Sequence, residues 1–231
     1  MMILLLLALA LAMVYTVYKT QKINATTVGL KMLCSTAFLL IPIWGGALAG
    51  PWGYPHYVFV GLVLAFWGDL WLELKLLWVK TDAVYSYLGF GSFILTHLCY
   101  LMALTVAFEP PVGVWGVAVA VALLIVAFVK LTERPMGLDY GRFRPITLVY
   151  TGVLGCGFAL ALLLAWQSSA LAPGQDWFLA GIILFLVSDL ALSQLYFGAQ
   201  RWVKSHIAVN CLTYYVGQIA IAYSTVLWVG H

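Results

Sequence analysis

Gly61-Leu62-Val63-Leu64-Ala65-Phe66-Trp67-Gly68-Asp69-Leu70 is an apolar run that ends in a carboxylate. It has an echo in Gly181-Ile182-Ile183-Leu184-Phe185-Leu186-Val187-Ser188-Asp189-Leu190. Both runs keep Gly at the first position, Leu at the fourth, a small residue before the Asp and Leu after it. An ionisable side chain in the middle of a membrane helix costs at least about 2.5 kcal/mol to insert. Two such runs read as two copies of one membrane helix, each carrying an Asp to the same depth.

Composition agrees with that reading. The chain is 65% hydrophobic and 8% charged, whereas a soluble domain carries about a quarter charged residues. Eight apolar runs follow one another: Met1 to Tyr18, Leu30 to Ala49, Tyr57 to Val79, Ser86 to Phe108, Val112 to Leu131, Ile146 to Gln167, Trp177 to Tyr196 and Ile207 to Val229. Helices of about 20 residues use up most of the 231, so the expectation is an all-α membrane protein, one polytopic domain over 1–231. The first run has its lysines after the apolar stretch and no small-residue cleavage site, so it is expected to span rather than to be a cleaved signal.

The eleven basic residues test this count. Lys19, Lys22 and Lys31 lie around the first loop, Lys75 and Lys80 around the third, Lys130, Arg134, Arg142 and Arg144 around the fifth, Arg201 and Lys204 in the seventh. The even loops hold none. By the positive-inside rule the odd loops are cytoplasmic and both termini are not. The modest positive charge therefore reports topology, and nucleic acid is not an expected partner. The four cysteines fall within spans without CxxC spacing, which points to packing rather than to disulfides or zinc.

Four helices separate the two Asp-bearing spans, so both cross in one direction and the halves, about 1–109 and 110–231, form a parallel repeat. Each Asp lies about twelve residues into its span, roughly 18 Å into a core of about 30 Å. His97 in the fourth span and Tyr214, Tyr215 and Gln218 in the eighth reach a similar level, so the spacing predicts a shared cavity. His97 serves either the site or a hydrogen bond between helices, and the eighth-span residues are either site or structural glue. Glu73, one turn beyond Asp69, is expected to pair with Lys75 or Lys80 or to join the chemistry. Lys31 and Arg144 each open a span, either snorkelling to the interface or standing as two cations at a cavity mouth.

These residues carry a family resemblance. The run from Gly61-Leu62 to Gly68-Asp69, with Gly89-Phe90-Gly91-Ser92-Phe93-Ile94-Leu95-Thr96-His97-Leu98-Cys99-Tyr100, resembles the paired G-L-x-x-S-x-x-G-D and F-x-x-G-x-x-x-F-x-x-A-H-x-x-Y elements of the YhhN family of lysoplasmalogenases. Leu184-Phe185-Leu186-Val187-Ser188-Asp189 is similar to its L-F-x-x-S-D element and Tyr214-Tyr215-Val216-Gly217-Gln218 to its Y-Y-x-x-Q element. The chain departs from the family at Lys31-Met32, where K-P is usual, and at Trp67, where a small or aliphatic residue is usual. The resemblance implies hydrolysis of the vinyl ether of a lysoplasmalogen to a fatty aldehyde and a glycerophospho-ethanolamine or -choline, without metal or cofactor. Its partners are then a lysophospholipid and the membrane; the loop charges fit a bacterial inner membrane, and an endoplasmic reticulum membrane obeys the same charge rule. Protonation of the outer alkene carbon needs an acid and a nearby negative charge, and two carboxylates in a low-dielectric cavity tend to share one proton. Asp69 and Asp189 are then acid and stabiliser, in an order left open. His97 holds water or relays a proton, Tyr214, Tyr215 and Gln218 hydrogen-bond the substrate, and Lys31 and Arg144 meet its headgroup.

Other classes share some of these features. A proton-coupled small-molecule or lipid transporter also uses mid-membrane carboxylates on parallel repeats, although spans three and seven lack central Pro or paired Gly breaks. An intramembrane aspartyl protease carries G-x-G-D, whereas this chain reads Phe66-Trp67-Gly68-Asp69 and has no P-A-L after Asp189. A purely structural subunit gives no reason for two buried carboxylates.

Overall fold

Glycine decides how close the two Asp-bearing helices come to their neighbours. A Cβ on Gly61 would lie 2.5 Å from Tyr100 Cε1 and 3.1 Å from the Thr96 carbonyl; one on Gly181 would lie 2.6 Å from Ile221 Cγ1 and 2.7 Å from the Gly217 carbonyl. The missing side chain permits both approaches, and at Gly181 the atom in the way is backbone. The resulting pairs are the most extensive contacts in the fold.

These pairs are α3 (Tyr54–Leu77) with α4 (Asp82–Phe108) and α7 (Gln175–Phe197) with α8 (Lys204–Leu227). The remaining long helices are α1 (Met2–Lys19), α2 (Ala25–Trp44), α5 (Val112–Thr132) and α6 (Arg144–Gln167). This computed structural model describes residues 1–168, 170–199 and 202–228, and among them no strand is present. Arg201 and the expected end of the last span at Val229 lie outside the described residues.

Seven helices, α1 to α7, are long and apolar enough to cross a membrane. Their outward faces carry Leu6, Val117, Leu124 and Trp166, a surface suited to lipid rather than water. The eighth expected span, α8, falls short of that apolar standard. Its physical setting explains why: α8 packs against α1, α2, α3 and α7, and twelve of its residues are buried, Tyr214, Gln218 and Ser224 among them. A helix screened from lipid by its neighbours can carry polar groups that the bundle interior uses. By contrast α5 buries only Val114, Ala118 and Ala122, a single stripe at i, i+4, i+8, and offers its other faces outward.

The helices alternate in direction. Ile23 after α1, Lys75 at the end of α3, Arg142 between α5 and α6 and Trp202 before α8 line one basin, so the odd-numbered connections share an end. At the opposite end Trp228, after α8, packs on Tyr54 at the start of α3 (ring centroids 4.5 Å apart) and on Phe108 at the end of α4 (5.5 Å). α8 thus runs the full length between the two ends, like the seven apolar helices.

Sequence reading misplaced one start by five residues, and the error matters. Apolarity begins at Leu30, but α2 begins at Ala25 because Asn24 caps it: Thr27 N–H donates to Asn24 Oδ1 (3.3 Å), and the Asn24 N–H donates back to Thr27 Oγ1 (2.9 Å). This reciprocal cap places Lys31 at the seventh residue of the helix instead of its mouth.

Candidate functional site

Asp69 stands on the inner face of α3 and is 1% exposed. Two hydroxyls donate to its Oδ2, Ser35 at 2.6 Å from α2 and Tyr214 at 2.8 Å from α8. The Lys31 ammonium lies 3.2 Å from Oδ1. The same ammonium is 3.3 Å from Glu73 Oε2, one turn along α3. Lys19, the last residue of α1, lies 2.7 Å from that oxygen, and Tyr15 OH donates to it at 3.0 Å. Two lysines and two carboxylates therefore form a buried quartet of zero formal charge. Burying charges is costly unless they are paired and hydrogen-bonded, and this arrangement pairs every one of them.

The rest of α8 extends the network. Tyr100 OH donates to Gln218 Oε1 (2.9 Å), Gln218 Nε2 donates to Tyr214 OH (3.3 Å), and Tyr214 OH donates to Asp69. Gln218 reaches the carboxylate only through this tyrosine. Tyr215 turns the other way: its hydroxyl donates to the Lys31 carbonyl (3.4 Å) and its ring meets Tyr15 edge-on (centroids 5.6 Å apart). It supports the helix that holds Lys31.

Asp189 sits in a different setting. It is only partly buried, and Tyr150 OH on α6 donates to its Oδ2. No cation within salt-bridge reach of Asp189 occurs among the described residues. Beside it, Ser188 is buried, with its hydroxyl oxygen accepting from Asn210 Nδ2 at 2.9 Å.

Both carboxylates line one small cavity of about 40 Å³, with Lys19, Lys31, Tyr150 and Tyr214 on its walls. Of the residues expected to share a cavity, Asp69, Asp189 and Tyr214 line this one, whereas His97, Tyr215 and Gln218 do not. A second cavity of about 270 Å³ lies among α5, α6 and α7, walled by Ile125, Phe128, Leu154, Phe158 and Leu186, and reaches Asp189 and Tyr150. The two meet at Tyr150, Asp189 and Tyr196.

The other expected residues separate. His97 is buried against the rings of Phe185 (4.7 Å between centroids) and Tyr150 (5.7 Å), and its Nε2 has no hydrogen-bond partner among the described residues. It touches the tyrosine that holds Asp189. Arg144 opens α6 as expected, but its guanidinium is half-exposed and donates to Glu133 at 2.7 Å, whereas Lys31 is buried. They do not form a pair at a mouth, because the Asn24 cap carries Lys31 two turns inside. Glu73 pairs with Lys19 and Lys31 in place of Lys75 or Lys80.

Ser35, Tyr150, Tyr15 and Lys19 escaped the sequence reading. Two of them had a usable signal. Ser35 lies one turn beyond Lys31 on the same face. Tyr150 is the seventh residue of α6, as Lys31 is the seventh of α2, and each reaches an Asp.

Long apolar helices enclosing paired carboxylates in one cavity define a membrane-helix bundle with a polar interior. Within that class the chain belongs to the YhhN family, whose sequence model matches residues 1–225. No curated protein and no solved structure matches it.

Proposed function

We propose that the protein is a lysoplasmalogenase, which adds water across the vinyl ether of a single-chain lipid to release a fatty aldehyde and leave a glycerophospho-alcohol. The observation that carries this reading is the inequality of two carboxylates on one cavity. Asp69, with an ammonium and two hydroxyl donors, has the surroundings of a fixed anion. Asp189 has one hydroxyl and an apolar groove, with no cation beside it among the described residues, and takes the part of proton donor in this reading.

In this mechanism Asp189 donates its proton to the outer alkene carbon, and the electron pair of the double bond forms the new C–H bond. The ether carbon becomes an oxocarbenium ion beside the new Asp189 carboxylate. Asp69 Oδ1, which keeps room for a further donor beside Lys31, orients the water that attacks this carbon. The proton lost by that water returns to Asp189. The hemiacetal then collapses, with its hydroxyl proton leaving and the glycerol oxygen gaining one, so that atoms and charge balance. General acid chemistry of this kind contributes about 10²–10⁴-fold.

Several further features support the membrane part of the reading. The odd connections, where the basic residues gather, meet at one end of the bundle, consistent with a cytoplasmic face there and with eight crossings. The matching approaches at Gly61 and Gly181 and the matching places of Lys31 and Tyr150 are what two parallel four-helix repeats produce. A bacterial inner membrane fits this topology. A proton-coupled carrier would use the same carboxylates, but it needs access from both ends, and the aromatic cluster of Tyr54, Phe108 and Trp228 packs across the far one.

Aldehyde release from 1-alkenyl lysophosphatidylethanolamine by purified wild type, alongside Asp69→Asn, tests the proposal. Aldehyde from wild type and a loss of at least about a hundredfold in the variant is expected. A well-folded wild type that releases none with either an ethanolamine or a choline headgroup would reject it.

A further inference from the structure

The odd-connection end holds a basin of about 580 Å³ that the mechanism above does not use. Its walls carry charges of both signs: Lys75 and Arg142 on one hand, Asp82 and Asp139 on the other. Arg142 and Asp82 are bonded at 3.2 Å, but their side chains are 58% and 44% exposed, so the pair is worth little and is easily exchanged. Ser86 also lines the basin. It is 1% exposed, and its hydroxyl has no hydrogen-bond partner among the described residues, a buried polar group that calls for one from outside the chain.

The wall is held in place by the fold. The Asp139 N–H donates to the Phe197 carbonyl (2.9 Å), docking the α5–α6 connection on the end of α7, and Tyr87 OH donates to the Arg142 carbonyl (3.1 Å). Tyr140, Tyr196 and Phe197 are shared between this basin and the apolar groove of α5, α6 and α7. Tyr196 lines the carboxylate cavity too, so it stands where all three spaces meet. A polar basin, an apolar groove and an acid site around one tyrosine have the layout of a single-chain phospholipid: headgroup, chain and linkage.

We propose that this basin binds the zwitterionic headgroup of a single-chain phospholipid, with Arg142 and Ser86 taking the phosphate and Asp82 and Asp139 the amine, while the chain lies in the α5–α6–α7 groove. The assignment rests on the proposed substrate class and moves the headgroup away from Lys31 and Arg144. The Arg142 fork matches two phosphate oxygens, a stronger match than its exposed link to Asp82. Release of Asp82 from Arg142 then leaves two carboxylates facing an ammonium group.

The probe is 1-O-hexadecyl lysophosphatidylethanolamine, whose saturated ether offers no alkene to protonate, so binding is read without turnover. Dissociation constants are measured on the full chain in detergent for this lipid, for 1-O-hexadecylglycerol and for the corresponding lysophosphatidate. Wild type is expected to prefer the zwitterion over the headless ether by about tenfold or more, and Arg142→Gln to lose most of that preference, with Arg142→Lys in between. Asp82→Asn with Asp139→Asn should lose the preference over lysophosphatidate alone. Equal affinity of wild type for all three ligands, or folded variants that keep the full preference, overturns the proposal. Aldehyde release from the alkenyl lipid, measured in the same samples, separates the two readings. Headgroup-dependent binding without aldehyde keeps the basin and rejects the hydrolase. Aldehyde with an unchanged preference in Arg142→Gln does the reverse.

Discussion

Asp69 and Asp189 end nearly identical stretches of sequence on two helices and line one cavity, yet their partners have little in common. Asp69 is locked into a quartet with Lys31, Glu73 and Lys19, and two hydroxyls complete its shell. Asp189 has Tyr150 and an apolar groove. The cation is one part of the difference, since the seventh residue of α2 is a lysine and that of α6 a tyrosine; the hydroxyls of Ser35 and Tyr214 on Asp69 are the other. Two similar stretches thus bring two carboxylates to one cavity, and their partners set one in an ion-paired network and the other beside an apolar groove. The proposed division of labour rests on this asymmetry.

The largest effect that would sharpen this contrast is on turnover. Asp189→Asn should lower aldehyde release by about 10²–10⁴-fold while changing the melting temperature little, since the amide oxygen can still accept from Tyr150 OH. Next comes stability. Lys31→Met leaves Asp69 without a cation and Glu73 with only one, and should cost about 3–5 kcal/mol, as removal of one partner from a buried pair does. Asp69→Asn introduced with it should recover part of the loss, a coupling that thermal unfolding of the two single variants and the double variant measures. Tyr150→Phe, at the matching place in α6, should cost far less. If the two sites respond alike, the contrast is broken.

Packing gives a smaller test. Gly181→Ala drives a Cβ to 2.7 Å from the Gly217 carbonyl, whereas Gly61→Ala chiefly meets the Tyr100 ring. A side chain can yield where backbone cannot, so Gly181→Ala should cost about 1–3 kcal/mol and Gly61→Ala less, compared by unfolding in detergent. Tyr15→Phe is the mildest. Glu73 keeps both ammonium groups and loses one donor, and Lys19 loses one acceptor but keeps Glu73, for about 1 kcal/mol.

The sequence showed the helices and the carboxylates because each stands out locally. Apolar runs broken by loop charge define the elements, and an Asp inside such a run is visible without knowing its neighbours. Tyr214 and Gln218 were legible for the same reason, as polar groups at the depth of the Asp residues. What stayed hidden was partnership. Lys19 and Lys31 fall next to the first loop and read as topology charges; only the Asn24 cap, which starts α2 before its apolar run, shows that Lys31 is inside. Glu73 has Lys75 and Lys80 nearby in sequence, but helix periodicity turns it to α1 and α2. Tyr150 is one tyrosine among thirteen until the two halves are aligned by helix start, when it falls on Lys31.

The account stands or falls on Asp189 as the proton donor to carbon, and the most direct measurement is hydrolysis of the alkenyl lysolipid in deuterated water by wild type and by Asp189→Asn. The prediction is one deuterium on the carbon next to the aldehyde in the wild-type product and no product from a folded variant. Aldehyde lacking that deuterium, or full turnover by Asp189→Asn, would contradict it.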